Sequence, residues 1–221
     1  MSGETVREDS SLVVWIKRRR SELIHGVWER IKRWAAVGTG HRVANRFGAF
    51  GEGSYLGFPT GTIYGERWIR VGKDTLLADH VTLSAGMHPD QEMVTNPVIR
   101  IGDRCLIGRY NSIVGHFSIE IGDDVFMGTD VYITDQNHTY TDVDEPIGRQ
   151  IPVESAVKIG RGSWLGSGVV ILPGCRIGEN VVVAANSVVR GVIPDRCVVA
   201  GVPAKIVRRH DSEDGWRRPP T

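Results

Sequence analysis

Aliphatic side chains recur at every sixth position along most of this chain, and no other feature restricts its fold as tightly. The register runs through Val71, Leu77, Leu83, Ile101, Ile107, Ile113, Ile121, Met127 and Ile133, then resumes at Ile159, Leu165, Ile171, Ile177, Val183 and Val189. All 15 positions are aliphatic or methionine, and eight of them are followed by glycine. A period of six matches neither the 3.6 of a helix nor the simple alternation of a half-buried strand. It describes a solenoid, in which each unit buries its apolar face only by stacking on its neighbours. Each hexapeptide supplies one short strand and one corner, with the aliphatic side chain inward and glycine where backbones approach closely. Three such strands close a triangular coil.

Five complete coils are expected, at 71–88, 101–118, 121–138, 159–176 and 177–194. At a strand spacing of ~4.8 Å they predict a prism roughly 24 Å tall. Ile63 and Ile69 are expected to begin an irregular sixth. The repeat breaks twice, at 89–100 and at 139–158, and insertions in a solenoid emerge as loops, often on one binding face. The second break, TYTDVDEPIGRQIPVESAV, is polar and carries two prolines, so it is expected to leave the coil near the chemistry.

Charge narrows the range of partners. Twenty-seven Lys and Arg against 26 Asp and Glu leave +1 overall, without the basic field that would point to nucleic acid. Cys105, Cys175 and Cys197 are an odd, scattered set with no CxxC motif, so neither a disulfide framework nor a cysteine metal site is expected. No apolar run approaches the ~20 residues of a membrane span, and residues 1–11 lack the pattern of a signal peptide, so a cytoplasmic protein is expected.

Residues 11–37 read differently. Ile16, Leu23, Val27, Ile31 and Trp34 make an apolar helical stripe, and seven basic residues against two acidic ones give the segment +5. This composition permits a helix lying on an anionic membrane surface, with Trp15, Trp28 and Trp34 near the interface, peripheral to the inner membrane. The alternative is a helix packed on the solenoid or on a neighbouring subunit. The expected organisation is therefore an N-terminal helix and connector over 1–59, a solenoid over 60–208 and a polar tail over 209–221.

The repeat resembles the hexapeptide-repeat family, which folds as a left-handed parallel β-helix, and the handedness is implied by that resemblance alone. The closing stretch WLGSGVVILPGCRIGENVVVAANSVVRGVIPDRCVVAGVPAKIVR, residues 164–208, is similar to the end of the galactoside, maltose and related O-acetyltransferases. The resemblance implies transfer of an acyl group from acetyl-CoA, or another acyl-CoA, to a hydroxyl of a sugar or glycan, without a metal. It implies donor contacts at Trp164, Gly166, Ser167, Ala185, Asn186, Arg190, Lys205 and Arg208. Small side chains and open backbone groups at these positions suit the amide-rich pantetheine arm. Lys205 and Arg208 suit phosphates as a point charge and a planar fork. Where relatives commonly carry Thr-Lys, this chain has Arg190 and Gly191.

Among seven histidines, His138 in ITDQNHTYTD matches the position of the family's general base. Imidazole titrates near neutrality, so it can take the acceptor's proton and return it to the leaving thiolate. Many relatives read DHNH where this chain reads DQNH, with Gln136 in place of the first histidine. Asn111, His116 and Tyr140 are expected at the acceptor, and His88 is a rival base. The cysteines sit at repeat positions with no adjacent base, which argues for direct transfer rather than a covalent intermediate. The family's homotrimers imply donor channels between subunits. Two other classes remain open at this point. One is a non-catalytic scaffold docked at a membrane. The other is a metal hydratase of the γ-carbonic-anhydrase type built on His80, His116 and His138.

Overall fold

A computed structural model describes residues 11–218, together with the side chains from residue 13 onward. The expectations for residues 1–10 and for the last three residues of the tail lie outside the described residues. The chain divides into two compact units, one ending at Ala35 and one running from Ala36. The described residues of the first form one helix, α1, Ser11–Ala35.

The second unit is a three-sided parallel solenoid, and it has the left-handed β-helix fold. Its first face stacks seven strands, Ala49–Phe50, Ile69–Val71, Ile99–Ile101, Ile119–Ile121, Val157–Ile159, Arg176–Ile177 and Val192–Ile193. Six spacings of ~4.8 Å make this ladder about 29 Å tall. The second face runs from Tyr55–Leu56 through Leu76–Leu77, Leu106–Ile107, Phe126–Met127, Trp164–Leu165 and Val182–Val183 to Cys197–Ala200. The third carries Ile63–Tyr64, Thr82–Ala85, Ser112–Gly115, Tyr132–Thr134, Val170–Ile171 and Val188–Val189.

The ladder register shows why a period of six produces this shape. Ile121 pairs with Ile101 and Ile159, Met127 with Ile107 and Leu165, and Ile133 with Ile113 and Ile171. Each repeat position therefore sits above its counterpart in the preceding coil, and the stacked side chains form one dry column. All 15 are buried, the most exposed being Ile177 at 3%. Burying a side chain of this size contributes on the order of 1.5–3 kcal/mol.

The corners carry the polar groups of the interior. Thr75 Oγ1 donates to the Gly102 carbonyl at 2.8 Å and accepts the Cys105 N–H at 3.0 Å. Ser163 does the same between the Gly178 carbonyl and the Val181 N–H. Buried hydroxyls thus satisfy backbone groups that the strand ladders leave over.

Two expected boundaries shift. The solenoid begins before residue 60, because Phe50 pairs with Val71 and Leu56 with Leu77. Neither falls on the period of six counted back from Val71, so the repeat did not reveal them. The tail is also more ordered than a polar composition suggests: Lys205–Asp211 runs antiparallel to Cys197–Ala200, and Gly215–Arg217 pairs with it in turn. Trp216 packs edge-on to His210, with ring centroids 5.4 Å apart, which secures that hairpin.

Candidate functional site

The corner between the third and first faces is where the long excursion leaves the coil. Tyr132–Thr134 ends on the third face, and Val157–Ile159 resumes the first. Between them, Gln136–Asn137 pairs antiparallel with Val153–Glu154, so the excursion is a hairpin whose neck includes residues ahead of 139. His138 follows this neck immediately, and its side chain is exposed. Thr139 Oγ1 donates to the Ile151 carbonyl across the hairpin. Tyr140 is 74% exposed further out on the same loop.

Asp135, at the base of the neck, is fully buried. Its Oδ1 accepts the His116 N–H at 2.8 Å, and its Oδ2 accepts the N–H groups of Phe117 and Ser118 at 2.9 and 2.7 Å. Three N–H donors on one carboxylate compensate the cost of burying its charge. They also hold the 116–118 turn of the preceding coil against the coil that carries His138. Val114 pairs with Thr134, so His116, two residues further on, sits at the same corner. Nothing in the sequence DQNH marks Asp135 as buried, so this partner of the site is not legible from the sequence alone.

Asn111 lies elsewhere and does something else. It is fully buried, its Nδ2 donates to the Gly128 carbonyl at 3.0 Å, and its Oδ1 accepts the Val131 N–H at 2.6 Å. Both ends of the amide join consecutive coils, so the expectation that Asn111 contacts an acceptor is corrected. His80 is also remote from His116 and His138: it lies between the second and third faces and stacks on Tyr110, with centroids 4.7 Å apart. Among the described residues, no cluster of three or more His, Cys, Asp or Glu could hold a metal ion.

A second feature lies on the second face. There Leu106, Phe126 and Trp164 stand in one outward row, paired strand to strand, each 40% exposed or more. They line an open groove of about 440 Å³ with Arg109, Thr129 and Ser167. The row extends through Val182 to Val198. Leu106, Phe126, Trp164 and Val182 each immediately precede an inward repeat residue, which is the signal the sequence holds for Leu106 and Phe126. Ser167 Oγ accepts the Thr129 N–H at 3.2 Å, which leaves its own proton free to donate.

Other expected donor contacts gather around this face. Gly166 is buried, and a Cβ there would fall 2.6 Å from the Ala185 backbone nitrogen, so its glycine is required by coil stacking. Ala185 and Asn186 are exposed on the corner above, where the Asn186 N–H donates to the Ser167 carbonyl at 2.9 Å. Lys205 pairs with Ala200 and Arg208 with Val198, which places both cations at the end of the outward row. Arg190 does not join them. It follows Val188–Val189 and so occupies the corner of His138. Within one chain, His138 and the groove are separated by the whole third face.

All three cysteines are free and buried. Burial pushes the Cys175 thiol up to about 12, and burial raises Cys105 from its ordinary value of 9.0. Neither supplies a thiolate near neutral pH.

Residues 98–135 match the family described as hexapeptide repeat of succinyl-transferase, and residues 156–191 the one described as bacterial transferase hexapeptide (six repeats). The chain is 43% identical over 123 residues to a putative lipopolysaccharide biosynthesis O-acetyl transferase, WbbJ, of Escherichia coli, covering 52% of this chain and 63% of that one. It is 37% identical over 143 residues to a probable acetyltransferase of Mycobacterium tuberculosis, covering 64% and 42% respectively. It is 35% identical over 104 residues to the galactoside O-acetyltransferase of Escherichia coli, covering 47% and 50%. The chain thus spans less than two thirds of the length of these relatives. Among solved structures, AntD, an N-acyltransferase from Bacillus cereus in complex with dTDP and 3-hydroxybutyryl-CoA, superposes with a TM-score of 0.67 at 18% identity, covering 80% of this chain and 90% of that one.

Proposed function

We propose that this chain, a left-handed β-helix whose residues 98–135 and 156–191 match hexapeptide-repeat families, is a CoA-dependent O-acyltransferase that esterifies a hydroxyl of a sugar or glycan. The observation that carries this reading is His138, a solvent-open imidazole at the neck of the long excursion and beside a turn clamped by a buried carboxylate. The names of two relatives, a galactoside O-acetyltransferase and a putative lipopolysaccharide biosynthesis O-acetyl transferase, support the choice of a hydroxyl acceptor. The small residues and the paired cations at the end of the second face fit a CoA thioester.

In this reading His138 removes the acceptor proton as the hydroxyl oxygen attacks the thioester carbonyl. The tetrahedral oxyanion accepts a hydrogen bond from the Ser167 hydroxyl or a backbone N–H. Collapse breaks the C–S bond, and the imidazolium returns its proton to the departing thiolate. The burial of all three cysteines fits direct transfer without an acyl-enzyme. Acetyl is the acyl group favoured by the relatives' names.

The separation of His138 from the groove supports a homotrimer in which the third-face corner of one subunit meets the second face of the next. The exposed row Leu106, Phe126 and Trp164 then becomes part of a shared channel.

Calorimetric titration of acetyl-CoA into wild type and His138→Ala, paired with an acetyl-transfer assay on simple glycosides, tests this reading. The expected result is donor binding in both proteins, with turnover reduced by about 10²- to 10⁴-fold in the variant. Well-folded wild type that binds neither acetyl-CoA nor CoA overturns it.

A further inference from the structure

Helix Ser11–Ala35 falls in the unit that ends at Ala35, and its large apolar side chains are open from Val13 to Trp34. Leu23 is 68% exposed, Ile24 64% and Trp34 80%, and Ile16, Val27, Trp28 and Ile31 are exposed as well. At about 100° per residue, Ile16, Leu23, Val27 and Trp34 project within about 40° of one another, and Ile24 and Ile31 widen the same sector. Helices in water owe most of their stability to packing an apolar face. Something is therefore expected to cover this one.

Charge selects what covers it. The helix carries Lys17, Arg18, Arg19, Arg20, Arg30, Lys32 and Arg33 against Glu22 and Glu29. Both acids are engaged within the helix: Glu22 with Arg18 at 3.0 Å and Arg19 at 3.5 Å, and Glu29 with Lys32 at 3.6 Å. A second copy of the helix would set one cationic surface against another. Arg20 also projects from inside the apolar sector, so a dry seam between helices would strip its guanidinium of water. A bilayer interface has neither fault, because an arginine stem lies along the acyl boundary while its head reaches the headgroups. Trp28 and Trp34 suit that depth. Among the described residues no helix is long and apolar enough to cross a membrane.

We infer that this helix docks in the plane of an anionic lipid bilayer, with its apolar sector toward the acyl chains and its cations among the headgroups. The surface is independent of acyl transfer and stands or falls separately from it.

Flotation of the full chain is the test, with vesicles of phosphatidylcholine alone and of phosphatidylcholine with about one third phosphatidylglycerol. At least about tenfold more protein should float with the anionic vesicles, and added salt should reduce the difference. A Leu23→Gln, Val27→Gln double variant keeps every charge and should lose about tenfold in the bound fraction. An Arg18→Gln, Arg19→Gln variant keeps the apolar sector and should lose preference for the anionic lipid. None of these four residues lies in the solenoid. Equal flotation with both vesicles, none with either, or a glutamine double variant that floats like wild type overturns the proposal. So does a wild type that does not float but is larger by light scattering than the glutamine double variant, since the sector then joins copies of the chain.

Discussion

The Oδ2 atom of Asp135 accepts the Ser118 backbone N–H at 2.7 Å across two consecutive coils. With the bonds to His116 and Phe117, one buried side chain ties the turn of the earlier coil to the strand end from which His138 emerges. Asn in place of Asp135 would turn an N–H donor toward a backbone N–H donor. Asp135→Asn is therefore expected to lower unfolding stability by about 1–3 kcal/mol. Denaturant titration checks this, and a loss below about 0.5 kcal/mol, the level of an ordinary surface change, would show that the clamp is dispensable.

A site shared between subunits makes a quantitative forecast for mixed assemblies. His138→Ala removes the base, and Ser167→Tyr fills the groove on the second face. Each alone should be inactive. Randomly mixed trimers of the two should recover about one quarter of wild-type turnover, because that fraction of interfaces joins an intact groove to an intact histidine of the neighbouring chain. If each chain carries a whole site, mixing recovers nothing.

Two glycines should respond in opposite directions to the same change. A methyl at Gly166 would meet the Ala185 nitrogen at 2.6 Å and the Ala185 Cα at 2.9 Å, backbone atoms that cannot move without parting two coils. Gly166→Ala is expected to cost about 1–3 kcal/mol or to prevent folding. A Cβ at Gly26, within the helix, would meet nothing within 4 Å beyond the helix's own backbone, so Gly26→Ala should favour that helix by about 1 kcal/mol. Circular dichroism and thermal unfolding of the two variants check both signs.

Cys175 links stability to alkaline pH. Its thiol ionises near 9.0 when unfolded and is held up to about 12 by burial, so the unfolded chain releases its proton first. Stability should be fully present below pH 9.0 and fall between there and about pH 12, with a slope of up to ~1.4 kcal/mol per pH unit from this group. Cys175→Ala should flatten that part of the profile in guanidinium titrations. A profile identical to that of wild type would show that the buried thiol does not govern it.

What could be read directly from the chain was whatever repeats. A period of six places each aliphatic above its predecessor, so the core column, the triangular coil and the two excursions follow from local rules applied many times. The N-terminal coil escaped this reading because Phe50 and Leu56 sit off the period and are held by pairing with Val71 and Leu77. His138 was visible through its motif, yet its partner Asp135 was not, since burial is a property of the assembled coils. Asn111 shows the same limit from the other side: a polar residue near the motif reads as a contact for substrate until both ends of its amide are found spent on the Gly128 carbonyl and the Val131 N–H. The row Leu106, Phe126 and Trp164 exists only because residues 20 and 38 positions apart are brought into register by ladders with an insertion between them. Periodicity specifies which side chains point inward; which outward ones meet depends on how loops of unequal length return the strand to its ladder, and only the folded chain resolves that.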